Sequence, residues 1–231
     1  LLIRSRPKKG WKDRNHRYSL FHDYFPDVNL NQVSETEAIT LLVMQYLSSF
    51  GPATENDIAW WTGLSKTKVR ETLNYLKEQI VRVKVSNLKG DFILLHSDEN
   101  LIKSYTGFPK KRTVNLLPSL DPYLMGYKER ERYLHHRHYD KVFDRSGNAT
   151  STILLDGRVV GVWDFTEDFE PTVKIFLLEE VEGSALGEIY LKAQKIGKFI
   201  ADKEVQIEEC ASMVPLTRRT AGGVMSPLKG C

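Results

Sequence analysis

Hydrophobic residues recur at helical spacing in three consecutive segments after Ser34. The first segment, residues 35–50, starts with a Ser-x-x-Glu capping box and stops at a Gly-Pro dipeptide, because proline cannot continue a helix. A short second helix is expected between the cap Thr54 and Gly63, and a third begins at the cap Ser65. The apolar face of the third helix consists of Val69, Leu73, Leu76 and Ile80.

The pattern changes to period two after the third helix. Val81 and Val83 alternate with charged residues, which is typical of a half-buried strand, and a turn at 87–91 leads to a second apolar run at 92–95. Three helices followed by a two-stranded ribbon are the winged-helix form of the helix-turn-helix. We therefore predict a winged helix over residues 34–100, with a plain α+β domain as the alternative.

Strand signals dominate the second half of the chain. Apolar runs at 152–155 and 159–163 are joined by an Asp-Gly dipeptide, which is the strongest short hairpin signal, and a third run follows at 173–178. Residues 183–202 then carry apolar side chains at helical spacing. The predicted fold class is thus α+β: a winged helix followed by a small antiparallel β-sheet or barrel domain with a packing helix.

These patterns divide the chain into four predicted parts. Residues 34–100 form the winged helix, and residues 101–203 form the α+β domain with hairpins and a terminal helix. Residues 1–33 are interpreted as the basic end of a preceding winged helix with its linker. Residues 204–231 contain a crowded run of Pro and Gly, so we expect a loosely ordered tail there.

The composition indicates an ordinary globular protein. Of 231 residues, 41% are hydrophobic and 27% are charged, and no apolar run approaches the ~18 residues that a membrane helix needs. A membrane protein, a disordered chain and a collagen-like chain are therefore excluded. Cys210 and Cys231 are too few for a disulfide framework, which favours a cytoplasmic location. We expect a monomer.

Charge alternates in blocks beneath the net value of +3. Residues 18–65 carry six acidic residues and no Lys or Arg, whereas residues 66–90 carry seven Lys or Arg and two acidic residues. Clustered Lys and Arg gain affinity for a polyanion by counterion release, so the basic blocks permit a nucleic-acid-binding face, with plain solvated surface as the alternative. The predicted DNA-binding residues are Lys66, Lys68, Arg70, Asn74, Lys77, Lys89, Lys110, Lys111 and Arg112.

Motifs for nucleotide and metal binding are absent from the sequence. There is no Gly-x-x-x-x-Gly-Lys-Ser/Thr loop and no Gly-x-Gly-x-x-Gly loop, so we predict no nucleotide cofactor. Neither cysteine has a partner at metal-binding spacing, so we also predict no metal site. His135, His136 and His138 are interpreted as an exposed basic turn, because the neighbouring Arg137 disfavours a bound cation.

Three sequence blocks occur together in a recognisable order. They read AWWTGL at 59–64, LLP at 116–118 followed by DPYL at 121–124 and GYK at 126–128, and LDGRVVG at 155–161 followed by Trp163. In this order and spacing the blocks resemble the AlkZ/YcaQ-like winged-helix DNA-binding family, over roughly residues 1–203. The resemblance implies tandem winged helices, a small β-barrel-like domain and double-stranded DNA as the partner. Characterised members resemble DNA glycosylases that excise alkylated bases and unhook interstrand crosslinks.

One motif of that family is missing. Members with glycosylase activity carry a Gln-x-Gln or His-x-Gln pair, with an apolar residue between, in a winged helix nearer the amino terminus. The five glutamines of this chain are isolated. The opening residues LLIRSR look like the end of that winged helix, so the resemblance implies a fragment that lacks it, and no catalytic residue is carried over to this chain.

The leading hypothesis follows from the resemblance. The chain is expected to be the carboxy-terminal part of a DNA-repair glycosylase-like protein that acts on alkylated or crosslinked bases. It is expected to belong to an active enzyme only if the missing amino-terminal segment carries the Gln-x-Gln or His-x-Gln pair. A non-enzymatic transcription regulator and a winged helix used for protein contacts are the alternatives. Asp121, Tyr127 and Arg130 are candidates to line a DNA-facing cleft, although a helix cap is the favoured role for Asp121.

Overall fold

The computed structural model describes residues 1–4, 17–30, 32–104, 112–167, 169–218, 223–229 and 231. The chain folds into two units, Leu1–Leu41 and Leu42–Cys231. The first unit contains the antiparallel strands β1 (Leu2–Arg4) and β2 (Tyr18–Leu20), the short helix α1 (Phe21–Tyr24) and the start of helix α2 (Glu35–Phe50). The assignment of residues 1–33 to a preceding winged helix stays a prediction.

Helix starts lie at the residues that the sequence marks. The Glu37 carboxylate accepts from the Ser34 N–H at 3.0 Å, and the Ser34 hydroxyl accepts from the Glu37 N–H at 3.3 Å, which completes the predicted capping box of α2. The same reciprocal pair forms between Thr54 and Asp57 at the next helix. The helices that follow α2 are α3 (Glu55–Thr62) and α4 (Lys66–Tyr75). The predicted starts of all three helices are therefore confirmed.

A two-stranded antiparallel sheet follows α4. It consists of β3 (Ile80–Val83) and β4 (Phe92–Leu95), and helix α5 (His96–Ser104) comes next. The predicted ribbon is confirmed, and its inner residues join a core shared with the helices because the apolar faces of α2, α3 and α4 meet there. The buried members of this core are Val43, Tyr46, Leu47, Ala53, Ile58, Val69, Leu73, Leu76 and Ile93.

A five-stranded sheet forms the rest of the second unit. The strands lie side by side in the order β5 (Val114–Leu117), β6 (Thr152–Leu155), β7 (Arg158–Thr166), β8 (Thr172–Leu177) and β9 (Gln206–Glu209). The short helices α6 (Pro122–Met125) and α7 (Tyr139–Val142) lie between β5 and β6 along the chain. Helix α8 (Gly183–Ala201) packs on one sheet face through Ile189 and Ala193, as predicted for the packing helix.

The sheet is mixed rather than antiparallel throughout. Strand β9 pairs with β8 in parallel, with Val173 opposite Ile207. The prediction of a purely antiparallel sheet is wrong here, because α8 carries the chain back along the sheet before β9 begins and a parallel pair requires such a crossover. Among the described residues β5 and β9 are the sheet edges, so the strands form an open sheet and not a closed barrel.

The predicted loose tail at residues 204–231 is wrong for the part of it that the structure describes. Strand β9 extends the sheet, a disulfide joins Cys210 to Cys231, and Leu228 is buried. The Thr150 hydroxyl donates to the Val224 carbonyl at 2.6 Å, which fixes the tail on the main body. Apolar residues such as Leu228 hold the tail in place, but they are spaced too irregularly along the sequence to give a periodic signal. The Pro- and Gly-rich composition alone therefore suggested a loose tail.

No helix among the described residues combines the length and the apolar character that a lipid bilayer requires.

Candidate nucleic-acid interface

Helix α4 presents its predicted basic residues on one outward face. Lys66, Arg70 and Asn74 are exposed, while Val69 and Leu73 on the opposite side are buried. This arrangement follows from the spacing of three and four residues, which places such positions on one side of a helix. Lys68 is half-buried, and Lys77 is exposed just beyond the end of the helix at Tyr75.

The basic side chains of α4 and of the ribbon meet at one cleft of about 490 Å³. Lys66 and Arg70 come from α4, and Arg82 and Lys89 come from the β3–β4 ribbon. The sequence predicted Lys66, Arg70 and Lys89 as DNA-binding residues, but it did not single out Arg82. Its position among alternating apolar residues of β3 marks it as outward-facing, and that signal was available.

An acidic side chain lies among these cations. The Glu55 carboxylate accepts from Arg70 Nε at 2.9 Å, and it contacts an Arg82 guanidinium nitrogen at 3.4 Å with its other oxygen. Asp91 of the ribbon also lines this cleft and pairs with Lys84 at 2.6 Å, and this hydrogen bond lowers the pKa of the Asp91 carboxyl. Among the described residues, Lys66 and Lys89 have no carboxylate within 4.0 Å.

The structure places none of three other predicted DNA-binding cations at the α4 cleft. Lys110 and Lys111 lie outside the described residues. Arg112 forms an ion pair with Glu182 beside the start of α8, and the hydrogen bond that Arg112 donates to that carboxylate raises the pKa of Arg112. Arg112 lines a separate groove with Lys192 and Lys195 of α8. The structure does not bring it to the α4 cleft.

A buried carboxylate joins α3 to the segment after α6. Asp57 is fully buried, and its Oδ1 accepts from the backbone N–H groups of Lys128 and Glu129 at 2.7 and 2.8 Å. Its Oδ2 accepts from the Thr54 N–H at 2.9 Å and from the Arg132 guanidinium at 3.1 Å. The backbone N–H groups of Lys128 and Glu129 thus find their acceptor on α3, which ties this segment to that helix.

Two adjacent tryptophans cover the junction between the helices and the sheet part. Trp60 donates from Nε1 to the Met125 carbonyl at 3.2 Å, and the Lys128 ammonium lies 4.7 Å from the centre of a Trp60 ring. Trp61 packs against Tyr46, with ring centres 5.3 Å apart. Both indoles therefore serve packing, which limits how far they are available to stack on a nucleobase.

The three residues predicted to line a cleft have structural contacts instead. Asp121 caps α6 by accepting from the Tyr123 N–H at 2.9 Å, as favoured from the sequence. Tyr127 is buried and donates from its hydroxyl to the Phe50 carbonyl at 3.0 Å, and burial raises its pKa. Arg130 is buried as well, and its guanidinium donates to the Gly147 carbonyl at 3.0 Å. Tyr127 and Arg130 thus lie in the interior rather than on the face that carries Lys66 and Arg70.

The histidine cluster is partly internal. His138 is buried, and its Nε2 lies 2.9 Å from Glu179 Oε1. Burial lowers the pKa of His138, although the hydrogen bond with Glu179 acts in the opposite direction. The interpretation as an exposed turn therefore fails for His138 and holds for His135 and His136. Over the described ranges, no group of three or more His, Cys, Asp or Glu residues is arranged to hold a metal ion.

Comparison with known proteins gives three matches. The model of a family described as "DNA glycosylase AlkZ-like" matches residues 1–185. A Streptomyces sahachiroi protein described as an interstrand DNA cross-link repair glycosylase is 29% identical over 136 residues, which are 57% of this chain and 35% of that protein. The structure of Streptomyces sahachiroi DNA glycosylase AlkZ has a TM-score of 0.74 at 19% identity, over 90% of this chain and 54% of that chain. The mixed arrangement of helices and sheets is therefore shared, and the chain spans about half or less of the length of these relatives.

Proposed function

The chain belongs to the AlkZ-like DNA glycosylase family, whose model covers residues 1–185, and from this premise we propose that it is the carboxy-terminal part of a DNA glycosylase that repairs alkylated or crosslinked bases. In this proposal the chain supplies a double-stranded DNA-binding surface. It acts as a monomer without a cofactor. The whole enzyme hydrolyses the N-glycosidic bond of a damaged base.

The DNA-binding part of the proposal rests on a winged-helix reading of α2, α3, α4 and the β3–β4 ribbon. In this reading α4 is the recognition helix and the ribbon is the wing. The observation that carries the proposal is the convergence of Lys66 and Arg70 of α4 with Arg82 and Lys89 of the ribbon on one cleft. A helix and a wing that share such a cleft are suited to follow one DNA backbone.

The chemistry of these side chains favours phosphate contacts over base reading. Four Lys or Arg side chains line the cleft together with the acidic residues Glu55, Asp91 and Glu129, and Asn74 is the one exposed amide on the basic face of α4. Lys and Arg bind phosphates regardless of sequence, and although a bidentate Arg can also read guanine, both arginines of the cleft are paired with Glu55. We therefore expect weak binding with little sequence preference.

The catalytic step is assigned to a segment that these residues do not include. A glycosylase must extract the base and position polar groups at the sugar carbon. The Gln-x-Gln or His-x-Gln pair of catalytic members does not occur in this sequence. We propose that a preceding winged helix supplies the pair. The absence of the pair from this sequence also favours a second candidate function, that of a non-enzymatic DNA-binding regulator.

Fluorescence anisotropy of a labelled duplex of about 20 base pairs tests the proposal. The logarithm of the association constant should fall with the logarithm of the salt concentration by roughly 0.9 per phosphate contact. A duplex of shuffled sequence is the matched control, and it should bind about equally well. No binding at low salt, or binding that is indifferent to salt, removes DNA as the partner and leaves protein contacts as the role of this surface.

A further inference from the structure

Glu55 bridges two elements of the proposed DNA-binding surface. One carboxylate oxygen contacts Arg70 of α4 at 2.9 Å, and the other contacts Arg82 of β3 at 3.4 Å. The position of Glu55 is fixed, since it is the first residue of α3 after the cap Thr54. An acidic residue in the first turn is also favoured by the helix dipole. A negative group is thus held between two of the four cations of the cleft, which Asp91 and Glu129 also line.

A carboxylate in that position matches the geometry of a phosphate. Guanidinium groups bind carboxylates and phosphates with the same arrangement of N–H donors. Arg70 and Arg82 already converge on one acceptor group, and Lys66 and Lys89 flank the same cleft. A DNA phosphate at the place of the Glu55 carboxylate would therefore meet two guanidinium groups without rearrangement of α4 or of the ribbon.

The pairs are open to exchange. The side chains of Arg70 and Arg82 are 62% and 47% exposed, while that of Glu55 is 25% exposed. Exposed ion pairs are screened by water and salt and are weak in consequence. A stronger anion arriving from solvent can displace such a carboxylate, in contrast to the buried carboxylate of Asp57.

We propose that Arg70 and Arg82 form a binding site for a DNA backbone phosphate, which Glu55 occupies in the unbound protein and yields when DNA binds. This inference rests on the proposed function. Glu55 then acts as an internal competitor that lowers DNA affinity. The number of phosphates contacted in the complex, and with it the salt dependence, stays the same because Glu55 yields its place.

The Glu55→Gln variant tests this site with the labelled duplex. We expect affinity about 2- to 5-fold higher than that of the parent chain, which is the upper part of the range for losing a competing exposed ion pair. The salt slope should stay near that of the parent, because the parent makes the same phosphate contact once Glu55 yields. Glu71→Gln is the matched control, because Glu71 lies on α4, is exposed and forms no ion pair with any described residue. It removes the same charge and should change affinity much less.

A second variant set separates this site from general electrostatics. In a background of Arg70→Gln and Arg82→Gln, the substitution Glu55→Gln should give no further gain. Equal effects of Glu55→Gln and Glu71→Gln would overturn the inference, since net charge alone would then account for them. Weaker binding by Glu55→Gln would also overturn it, because Glu55 would then be orienting the arginines for DNA. If the parent chain does not bind DNA at all, the proposed function itself fails. That outcome is distinct from a failure of the inference about Glu55. Circular dichroism of each variant confirms that the fold is retained.

Discussion

The carboxylate of Asp57 and the guanidinium of Arg132 lie 3.1 Å apart in an ion pair whose acidic member is fully buried. Arg132 also donates to the Pro52 carbonyl at 3.0 Å and lies 3.8 Å from the centre of the Tyr127 ring. A charge withdrawn from water depends on such partners for its stability. The pair therefore holds the segment after α6 against α3 and, through α3, against the proposed recognition helix.

Replacing Asp57 by Asn should destabilise the fold strongly. The amide leaves the Arg132 charge unpaired, and its NH2 group faces N–H donors that need an acceptor. We expect the free energy of unfolding to fall by ~3–5 kcal/mol, as for other broken buried ion pairs. Urea denaturation measures the change. Glu71→Gln serves as the control and should stay within ~0.5 kcal/mol of the parent, as exposed substitutions do. Equal stability of the two variants would contradict a structural role for the buried pair.

The two faces of α4 should respond differently to substitution. Leu73 is buried in the core of the helical part, so Leu73→Ala should cost ~2–5 kcal/mol of unfolding free energy. The double change Arg70→Ala with Lys77→Ala removes exposed charges and should keep the melting temperature within a few degrees. It should nevertheless weaken duplex binding clearly. Binding by this double variant that matches the parent would show that DNA does not contact α4.

Acid should destabilise the fold through the burial of His138. Burial lowers the pKa of His138 below its ordinary value of 6.5, so the unfolded chain takes up a proton more readily than the folded protein. The stabilising contribution of neutral His138 is therefore present above pH 6.5 and is lost as the pH falls below it.

The His138→Gln variant, which does not titrate, should show a flatter dependence of unfolding free energy between about pH 5 and 7. His136→Gln, at an exposed position, is the control and should keep the slope of the parent. The titration of Glu179 does not obscure the result. Burial raises the pKa of Glu179, but its contacts with His138 and Arg137 together lower the pKa by more. The net value therefore lies below 4.5, outside this window. Equal slopes of parent and His138→Gln would contradict the assignment.

The disulfide between Cys210 and Cys231 should contribute measurably to stability. It links residues 21 positions apart, and a loop of that size gives ~3 kcal/mol by restricting the unfolded chain. Cys231→Ser should therefore lower the unfolding free energy in non-reducing buffer. The difference from the parent should vanish when a reductant is present. A stability difference that persists in reductant would point to packing of the side chain instead of the bond.

This chain alone should release no base from alkylated duplex DNA. It carries no Gln-x-Gln or His-x-Gln pair, and Asp121 is engaged as the cap of α6. Mass spectrometry of released bases measures the outcome, with a longer chain that includes the preceding segment as the positive comparison. Asp121→Asn provides the second arm. Base release by the parent chain that disappears in Asp121→Asn would contradict the assignment of catalysis to another segment.

Local signals in the sequence predicted the local structure. The caps at Ser34, Thr54 and Ser65 fix helix starts within four residues of chain, so a short window suffices to see them. The turn between β6 and β7 is similar, because Asp156 and Gly157 adopt the positive φ values of 50° and 80° that their types tolerate best.

Contacts between distant parts of the chain could not be predicted in this way. Asp57 has the sequence signature of an ordinary capping residue, yet it also receives Arg132, which lies 75 positions away. The tail depends on partners such as Thr150, 74 positions from Val224. Such pairs follow from how α3, α6 and the sheet pack together, and neither periodicity nor composition records that packing. Arg82 is an intermediate case. The alternating pattern of β3 predicts that it faces outward, but it does not predict that Arg82 and Arg70 contact the same carboxylate.

The parallel pairing of β9 with β8 has a consequence for the order in which the chain becomes complete. Strand β8 is made well before residues 206–209, and the long helix α8 must be made in between. Until β9 has docked, the outer edge of β8 has no partner strand. An unpaired edge is a template for a strand from another molecule. A chain that ends after α8 would therefore be prone to join neighbouring copies edge to edge.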